Sequence, residues 1–292
     1  LSHDLNKGIS ALQGYRAVIN STIQLCTQKA ICNNYYLQSQ LRSYKNSIEK
    51  EVKHIPKWNL TLVLNSLTKA PYEPMLKASL KHLSWKTAFL VAFATAARVG
   101  ELRALAHDQV AHDRHWSKVT LQTHALFIAK NQDLAVDCSP RKFEIPALFD
   151  FAGPDLPDRL LCPVRSLRYY LEKTRKLRTK QKKALFVSYD ARKTTDITTN
   201  TLANWIKNVI KLAYQDVPEE ECTLAKVTAH EVRALASSVA FKHNLSLPNI
   251  NQACYWRGHS TFSNYYLRDV ALYKNDEMIM PNMVAAAKKI TK

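Results

Sequence analysis

Apolar residues recur every three or four positions along most of the chain, which is the spacing of a helix that buries one face. This pattern predicts helices over residues 7–27, 33–52, 60–69, 84–96, 164–177 and 200–214. The stretch at 84–96 is apolar on all sides and must therefore be buried nearly all round. It leads into A-R-V-G-E-L, where we expect Gly100 to take the backbone bend that presents Arg98 to a cleft.

From Lys118 onward the apolar positions alternate with polar ones, a spacing that is typical of strands. Three strands are predicted there, over K-V-T-L-Q-T, A-L-F-I-A-K-N-Q and R-K-F-E-I-P, with Lys130 at the end of the second or in the turn beyond it. A short strand is predicted at 185–187, and the proline-rich residues 150–163 are predicted to form a surface loop. The predicted fold class is therefore mainly α with a small antiparallel β-sheet (α+β).

Residues 228–269 are predicted to form three short helices in succession. The residues that favour their starts and ends are Thr228, Asn244, Pro248 and Ser260. His230 and Arg233 lie one turn apart on the first helix, and the third carries Tyr265 and Tyr266. The three helices would thus bring His, Arg, Trp and Tyr side chains into one pocket.

A net charge of +18 and an isoelectric point near 9.6 favour a polyanionic partner, of which nucleic acid is the leading candidate. A solubilising surface or an acidic membrane leaflet would also explain the charge. The chain contains no apolar run that approaches the ~18 residues of a membrane span, and it lacks a signal-peptide pattern. Its six cysteines form no C-x-x-C pair, which suggests neither a zinc site nor a disulfide framework and favours a reducing, intracellular compartment.

A chain of 292 residues is long enough for one large domain and a smaller one. Pro56 breaks the helical pattern and predicts a boundary between residues 1–55 and 56–292. Cations stand beside aromatic residues in the first segment, and such pairs are typical of nucleic-acid contacts. The candidate DNA-binding residues there are Tyr15, Arg16, Arg42 and Lys45.

An ordered set of residues resembles the tyrosine recombinase/integrase family. The set consists of Arg98 in A-A-R-V-G-E-L, Lys130 in a hairpin, His230 and Arg233 in H-E-V-R, Trp256, and a tyrosine on the next helix. More narrowly, P-Y-E-P-M, L-S-W-K-T-A-F-L-V-A-F-A-T-A-A-R-V-G-E-L and F-S-N-Y-Y-L-R-D-V are similar to the recombinases of DIRS-type retrotransposons. The resemblance covers about residues 57–273.

This resemblance implies a tyrosine-recombinase catalytic domain with a C-terminal tail over 56–292, and a partial core-binding domain over 1–55 that helps to clamp duplex DNA. It further implies a nuclear enzyme that integrates a mobile element. The enzyme would act as a homotetramer on paired double-stranded DNA sites and be a monomer or dimer without DNA. No cofactor, metal or membrane is expected to take part.

Cleavage of a phosphodiester by a side-chain hydroxyl requires cations around the phosphoryl oxygens, a group that takes a proton and an acid for the leaving 5′-oxygen. Arg98 and Arg233 are the candidate phosphate ligands, because a guanidinium fork matches two phosphate oxygens. His230 can accept a proton or donate to the phosphate near neutral pH. Lys130 is the candidate acid, and the indole N–H of Trp256 is a candidate uncharged donor.

The nucleophile is either Tyr266 or Tyr265. The family usually has His or Trp about nine residues before it, and Tyr265 lies nine residues after Trp256 while Tyr266 lies ten. In the DIRS-type pattern the tyrosine directly before Leu is retained, which favours Tyr266. Glu101 is expected to orient Arg98 without touching the substrate.

Other interpretations fit the same residues. Arg98 could pair only with Glu101 at a helix end, His230 could lie near a helix cap, Trp256 could belong to the core, and Lys130 could be a surface lysine. A type IB topoisomerase would share the chemistry but let one strand swivel. A DNA-binding protein that no longer cuts would keep the fold alone.

Overall fold

The structure is a computed structural model that describes residues 9–28, 34–47, 58–130, 132, 139–148, 156–178, 183–190, 196–215, 227–256, 258 and 260–268. The chain divides into two compact units, Leu1–Val52 and Lys53–Lys292. The predicted boundary at Pro56 falls outside the described residues and stays a prediction. In the first unit, α1 (Ile9–Thr27) packs against α2 (Tyr35–Ser47).

The second unit is built around one helix. Its helices are α3 (Leu60–Leu67), α4 (Leu80–Thr95), α5 (Val99–Arg103), α6 (Leu156–Leu161), α7 (Pro163–Thr174), α8 (Thr199–Ala213), α9 (Ala229–Lys242) and α10 (Leu247–Ala253). Helix α4 packs against α7, α8, α9 and the sheet, and its residues from Leu83 to Thr95 are all buried. The expectation that this apolar stretch is buried all round is confirmed.

The sheet has three antiparallel strands in the order β1 (Ala111–His112), β2 (Lys118–Gln122) and β3 (Lys142–Pro146). In the β2–β3 register, Val119 faces Ile145 and Leu121 faces Phe143. These four side chains are buried, so one face of the sheet belongs to the core. The predicted fold class, mainly α with a small antiparallel sheet, is confirmed.

Three local predictions were wrong. The stretch A-L-F-I-A-K is not a strand, because β2 pairs directly with β3 and these residues lie in the connection between them, where Leu126 is 85% exposed. Residues 185–187 form no strand, and only a bridge between Ala106 and Ala184 remains there. The predicted loop 150–163 contains α6, because Pro157 occupies a position in the first turn, which a helix tolerates.

The P-Y-E-P-M loop between α3 and α4 is fixed by a buried carboxylate. Glu73 Oε1 accepts hydrogen bonds from Lys86 Nζ on α4 at 2.6 Å and from Arg165 Nη1 on α7 at 2.8 Å. Lys173 Nζ donates to three carbonyls of the same loop. This motif therefore joins the loop to two helices of the core. None of the described helices has the length and apolar character that a membrane span requires.

Candidate active site

Arg98 is positioned by the sharp connection between α4 and α5. Ala96, the residue after α4, has a left-handed backbone with φ of 45°, and Arg98 directly precedes the first residue of α5. The Glu101 carboxylate accepts from the Arg98 backbone N–H at 2.7 Å and from Arg98 Nη1 at 3.0 Å. The bend therefore lies at Ala96 and not at Gly100, which is an ordinary residue of α5.

Arg233 comes from α9 and is almost fully buried, with 2% of its surface exposed. Its Nη1 donates to the Ala96 carbonyl at 2.6 Å and its Nη2 to the Cys254 carbonyl at 2.7 Å. Nη1 also lies 3.5 Å from the Glu101 carboxylate that binds Arg98. Two guanidinium groups that are far apart in the sequence thus flank one carboxylate.

His230 precedes Arg233 by one turn of α9 and faces a tyrosine. The centroids of the His230 and Tyr266 rings are 5.1 Å apart. Although His230 is exposed as a whole, partial desolvation of its ring lowers its pKa below the ordinary value of 6.5, and the positive charges of Arg233 and Arg98 lower it further. The imidazole is therefore neutral at pH 7 and can both accept and donate a hydrogen bond.

The end of α10 delivers Trp256 to the same place. Tyr255 has a left-handed backbone with φ of 52°, its N–H donates to the Gln252 carbonyl, and the Trp256 N–H donates to the Asn251 carbonyl. These bonds form a Schellman motif, with a tyrosine where glycine is usual. The motif turns the chain back toward α9.

Trp256 packs on the two groups already described. Its ring centroid is 4.4 Å from that of Tyr266, and the Arg233 guanidinium lies 5.0 Å from it. The indole N–H is buried and has no hydrogen-bond partner among the described residues. Trp58 and Trp85 share this property, so the missing partner alone does not mark a site. What distinguishes Trp256 is its contact with a tyrosine and an arginine.

The two candidate nucleophiles lie on opposite sides of a single wide turn. Residues Phe262–Tyr266 form a π-helical turn, closed by the Leu267 N–H bonding to the Phe262 carbonyl at 2.9 Å. Tyr266 is 7% exposed and contacts His230, whereas Tyr265 is 61% exposed. The geometry therefore brings Tyr266, and not Tyr265, to the predicted site residues.

Lys130 is not joined to this cluster. It is exposed in the β2–β3 connection, and within the described ranges its amine makes no hydrogen bond or ion pair with the other candidate residues. The part of the chain that the structure describes also holds no group of three His, Cys, Asp or Glu side chains that could bind a metal ion.

Solved structures of recombinases are similar to the chain. A lambda integrase (75–356) dimer bound to a COC′ core site matches with a TM-score of 0.50 and 13% identity, over 94% of this chain and 78% of that one. The XerA recombinase matches with a TM-score of 0.47 and 16% identity, over 94% and 84%. The XerH site-specific recombinase in a pre-cleavage complex with difH substrate matches with a TM-score of 0.48 and 16% identity, over 89% and 67%.

The chain has the tyrosine-recombinase catalytic fold. No family model and no curated protein sequence matches it. At 13% identity, the match to lambda integrase concerns the fold alone. The roles of individual residues therefore depend on the geometry of this chain.

On this fold, sequence reasoning missed two residues next to the tyrosine. Arg268 Nε donates to Glu231 Oε1 at 2.7 Å and its Nη2 to Oε2 at 3.2 Å, and both side chains are buried. Both residues stand inside motifs that were singled out, H-E-V-R and Y-L-R-D, and they have opposite charges. Their pairing could not be predicted, because 37 positions separate them and only the packing of the turn on α9 joins them.

A third missed residue is Tyr255. Its hydroxyl donates to the Lys142 carbonyl at 2.6 Å and accepts from the Lys142 N–H at 3.0 Å. The segment that delivers Trp256 is thereby fastened to the first residue of β3.

The candidate DNA-binding residues of the first unit lie on its two helices. Tyr15 is exposed and Arg16 half-buried on α1, and Arg42 is exposed on α2. The backbone of Lys45 belongs to α2, while its side chain lies outside the described part of the chain. Their role in DNA binding stays a prediction.

Proposed function

We propose that the protein cuts and rejoins DNA by attack of the Tyr266 hydroxyl on a phosphodiester. One observation carries this proposal. The ring of a single tyrosine contacts His230 and Trp256 and lies 5.5 Å from the Arg233 guanidinium, and Glu101 joins that guanidinium to Arg98. These are the groups that attack on a phosphoryl centre needs.

Each side chain then has a chemical role. Arg98 and Arg233 neutralise the non-bridging oxygens of the phosphate, since each guanidinium keeps its charge and offers several donors. Trp256 donates its indole N–H to the same phosphate. Neutral His230 accepts the proton of the phenol or bonds to a phosphoryl oxygen. Glu101 fixes Arg98 and does not touch the DNA.

We assign the protonation of the leaving 5′-oxygen to Lys130. Its exposed position in the β2–β3 connection leaves its amine accessible to a bound duplex. The product is a 3′-phosphotyrosine with a free 5′-hydroxyl. Because the new ester retains the energy of the broken bond, a 5′-hydroxyl from another duplex can reverse the step without ATP, metal or cofactor.

The net charge of +18 supports double-stranded DNA as the substrate. The resemblance to DIRS-type recombinases supports a more specific proposal. The protein would integrate a mobile element in the nucleus, acting as a homotetramer on paired sites. This more specific proposal depends on the motifs F-S-N-Y-Y-L-R-D-V and P-Y-E-P-M.

The test is covalent trapping. A pool of duplexes, randomised in sequence and each with a nick that lets the cleaved fragment diffuse away, is incubated with the protein in EDTA. We expect an SDS-resistant protein–DNA adduct in the wild type and in Tyr265→Phe, and none in Tyr266→Phe. Tyr265→Phe is the matched control, since it removes the neighbouring hydroxyl only.

Other outcomes would redirect the proposal. An adduct that persists in Tyr266→Phe and disappears in Tyr265→Phe would move the nucleophile to Tyr265. Relaxation of a supercoiled plasmid without any preferred sequence would indicate a type IB topoisomerase. DNA binding with no adduct in any protein would leave a DNA-binding protein that does not cut.

A further inference from the structure

The turn that carries the proposed nucleophile holds two adjacent tyrosines, Tyr265 and Tyr266, and either phenol could attack the phosphate if it faced α9. The turn begins with an ordinary helical bond, from the Asn264 N–H to the Ser260 carbonyl, and ends with the longer bond from Leu267 to Phe262. A π turn holds one residue more than an α turn. The extra residue decides which tyrosine faces α9.

Closing the wide turn would exchange the two tyrosines. In an α-helical turn residue 266, and not 267, would donate to the Phe262 carbonyl, so each residue would move one place along the helix. Tyr265 would then take the position that Tyr266 now has beside His230. Both registers offer a phenol, so the tyrosines themselves do not favour one register.

The chain after the turn is held by Arg268. Its guanidinium makes the two bonds to Glu231 on α9, and its Nη1 donates to the carbonyls of Tyr265 and Leu267 at 3.3 and 3.1 Å. The Arg268 N–H donates to Ser238 Oγ at 2.8 Å, and that hydroxyl shares its single hydrogen between the carbonyls of Ala234 at 2.8 Å and Tyr266 at 3.1 Å.

The contacts of Arg268 with Glu231 and Ser238 on α9 depend on the register of the turn. A shift of one place would draw Arg268 away from Glu231, which lies next to His230 in the sequence and is 6% exposed. An uncompensated buried charge is strongly unfavourable, so the ion pair opposes the shift.

We propose that the Glu231–Arg268 ion pair sets the register of the turn and thereby selects Tyr266 over Tyr265 as the nucleophile. This inference rests on the proposed function. Glu231 and Arg268 are positioning residues, because they act through the backbone of the turn and touch no substrate.

The experiment looks for an activity that appears, since loss of stability cannot create one. The trapping pool described above is used with Tyr266→Phe, in which only Tyr265 can form an adduct. Adding Glu231→Gln releases the register, and we expect an adduct at Tyr265 at least about tenfold above that of Tyr266→Phe alone. Peptide mass spectrometry identifies the modified residue. Adding Glu73→Gln instead breaks another buried ion pair and is expected to give no adduct.

A charge-swapped variant keeps the inference testable if Glu231→Gln misfolds. The charge-swapped protein, Glu231→Arg with Arg268→Glu in the Tyr266→Phe background, restores an ion pair and is expected to lose the Tyr265 adduct again. No adduct in a cooperatively folded Tyr266→Phe/Glu231→Gln protein would overturn the inference. An adduct of equal yield with Glu73→Gln would also overturn it. If the wild type forms no adduct, the proposed function itself fails, and the selection of a nucleophile fails with it.

Discussion

Two buried carboxylates in the second unit each lie between two cations. Glu73 is bonded to Lys86 at 2.6 Å and to Arg165 at 2.8 Å, and its side chain is 7% exposed. Glu101 lies 3.0 Å from Arg98 and 3.5 Å from Arg233, and its side chain is 2% exposed. By charge and burial alone the two arrangements are nearly the same.

They differ in what surrounds them. Backbone groups complete the Glu73 cluster: the Met75 N–H donates to Glu73 Oε2 at 3.0 Å, and the Leu67 carbonyl accepts from Lys86 Nζ at 2.7 Å. Around Arg98 and Arg233 the neighbours are an imidazole, a phenol and an indole, each of which carries a proton that can be shared with a substrate. Buried charge is thus no sign of function by itself, and the chemistry of the neighbouring groups separates a structural cluster from a candidate site.

Matched substitutions of the two carboxylates test most directly whether Glu73 supports stability alone and Glu101 supports cleavage. Glu73→Gln leaves buried Lys86 without a counter-charge, and we expect a loss of about 3–5 kcal/mol in the free energy of unfolding with unchanged cleavage per folded molecule. Glu101→Gln frees Arg98 from its orientation, and we expect cleavage per folded molecule to fall about a hundredfold. Urea denaturation and single-turnover adduct formation measure the two effects.

The comparison fails if the two variants behave alike. Equal loss of cleavage per folded molecule would mean that Glu73 also supports the site. Full cleavage in folded Glu101→Gln would mean that Arg98 needs no orienting partner.

The long helices could be predicted because their apolar spacing is regular and their caps are local. Asn244, for example, ends α9 with a left-handed backbone, as expected of its residue type. The strand at A-L-F-I-A-K could not be rejected from sequence, since a short apolar run of this kind is compatible with a buried strand. Only the direct pairing of β2 with β3 shows that the segment has no partner strand.

The candidate site likewise has parts that could be predicted from the sequence and parts that could not. His230 and Arg233 follow from one helix and a spacing of three. The contact between Glu101 and Arg233 could not be predicted, because 132 positions separate the two residues in the sequence. It depends on how α9 packs on α4. Which of Tyr265 and Tyr266 faces α9 depends on one extra residue in a turn, and no local pattern reveals that extra residue.

A smaller effect on cleavage is expected to distinguish Trp256 from Trp85, two buried tryptophans whose indole N–H groups have no hydrogen-bond partner among the described residues. Trp256→Phe keeps an aromatic ring beside Tyr266 but removes the N–H, and we expect cleavage to fall about 10- to 100-fold, as for one hydrogen bond to a charged group. Trp85→Phe removes an equally buried N–H on α4 and is expected to leave cleavage unchanged. Adduct formation under single-turnover conditions measures both. A similar loss in the two variants would show that packing, and not the donor, explains the effect.

The smallest expected effect is the part of the pH dependence of stability that His230 in the candidate site contributes. Burial and the charges of Arg233 and Arg98 lower the pKa of His230 in the folded protein, while the unfolded chain keeps a value near 6.5. Just below pH 6.5, His230 therefore binds a proton in the unfolded chain but stays neutral in the folded protein. The free energy of unfolding therefore falls as the pH decreases through this window, and the effect is small because His230 is an exposed residue whose charge water screens.

His230→Gln removes this contribution, so its free energy of unfolding should fall less than that of the wild type between pH 7.5 and 5.5. His82 and His107, whose pKa values are also lowered by burial, are present in both proteins and cancel in the difference. Glu73 stays ionised throughout, because the hydrogen bonds and charges of Arg165 and Lys86 outweigh its burial and lower the pKa of its carboxyl. Urea denaturation at the two pH values gives the difference, and parallel curves would mean that His230 senses neither burial nor the two guanidinium groups.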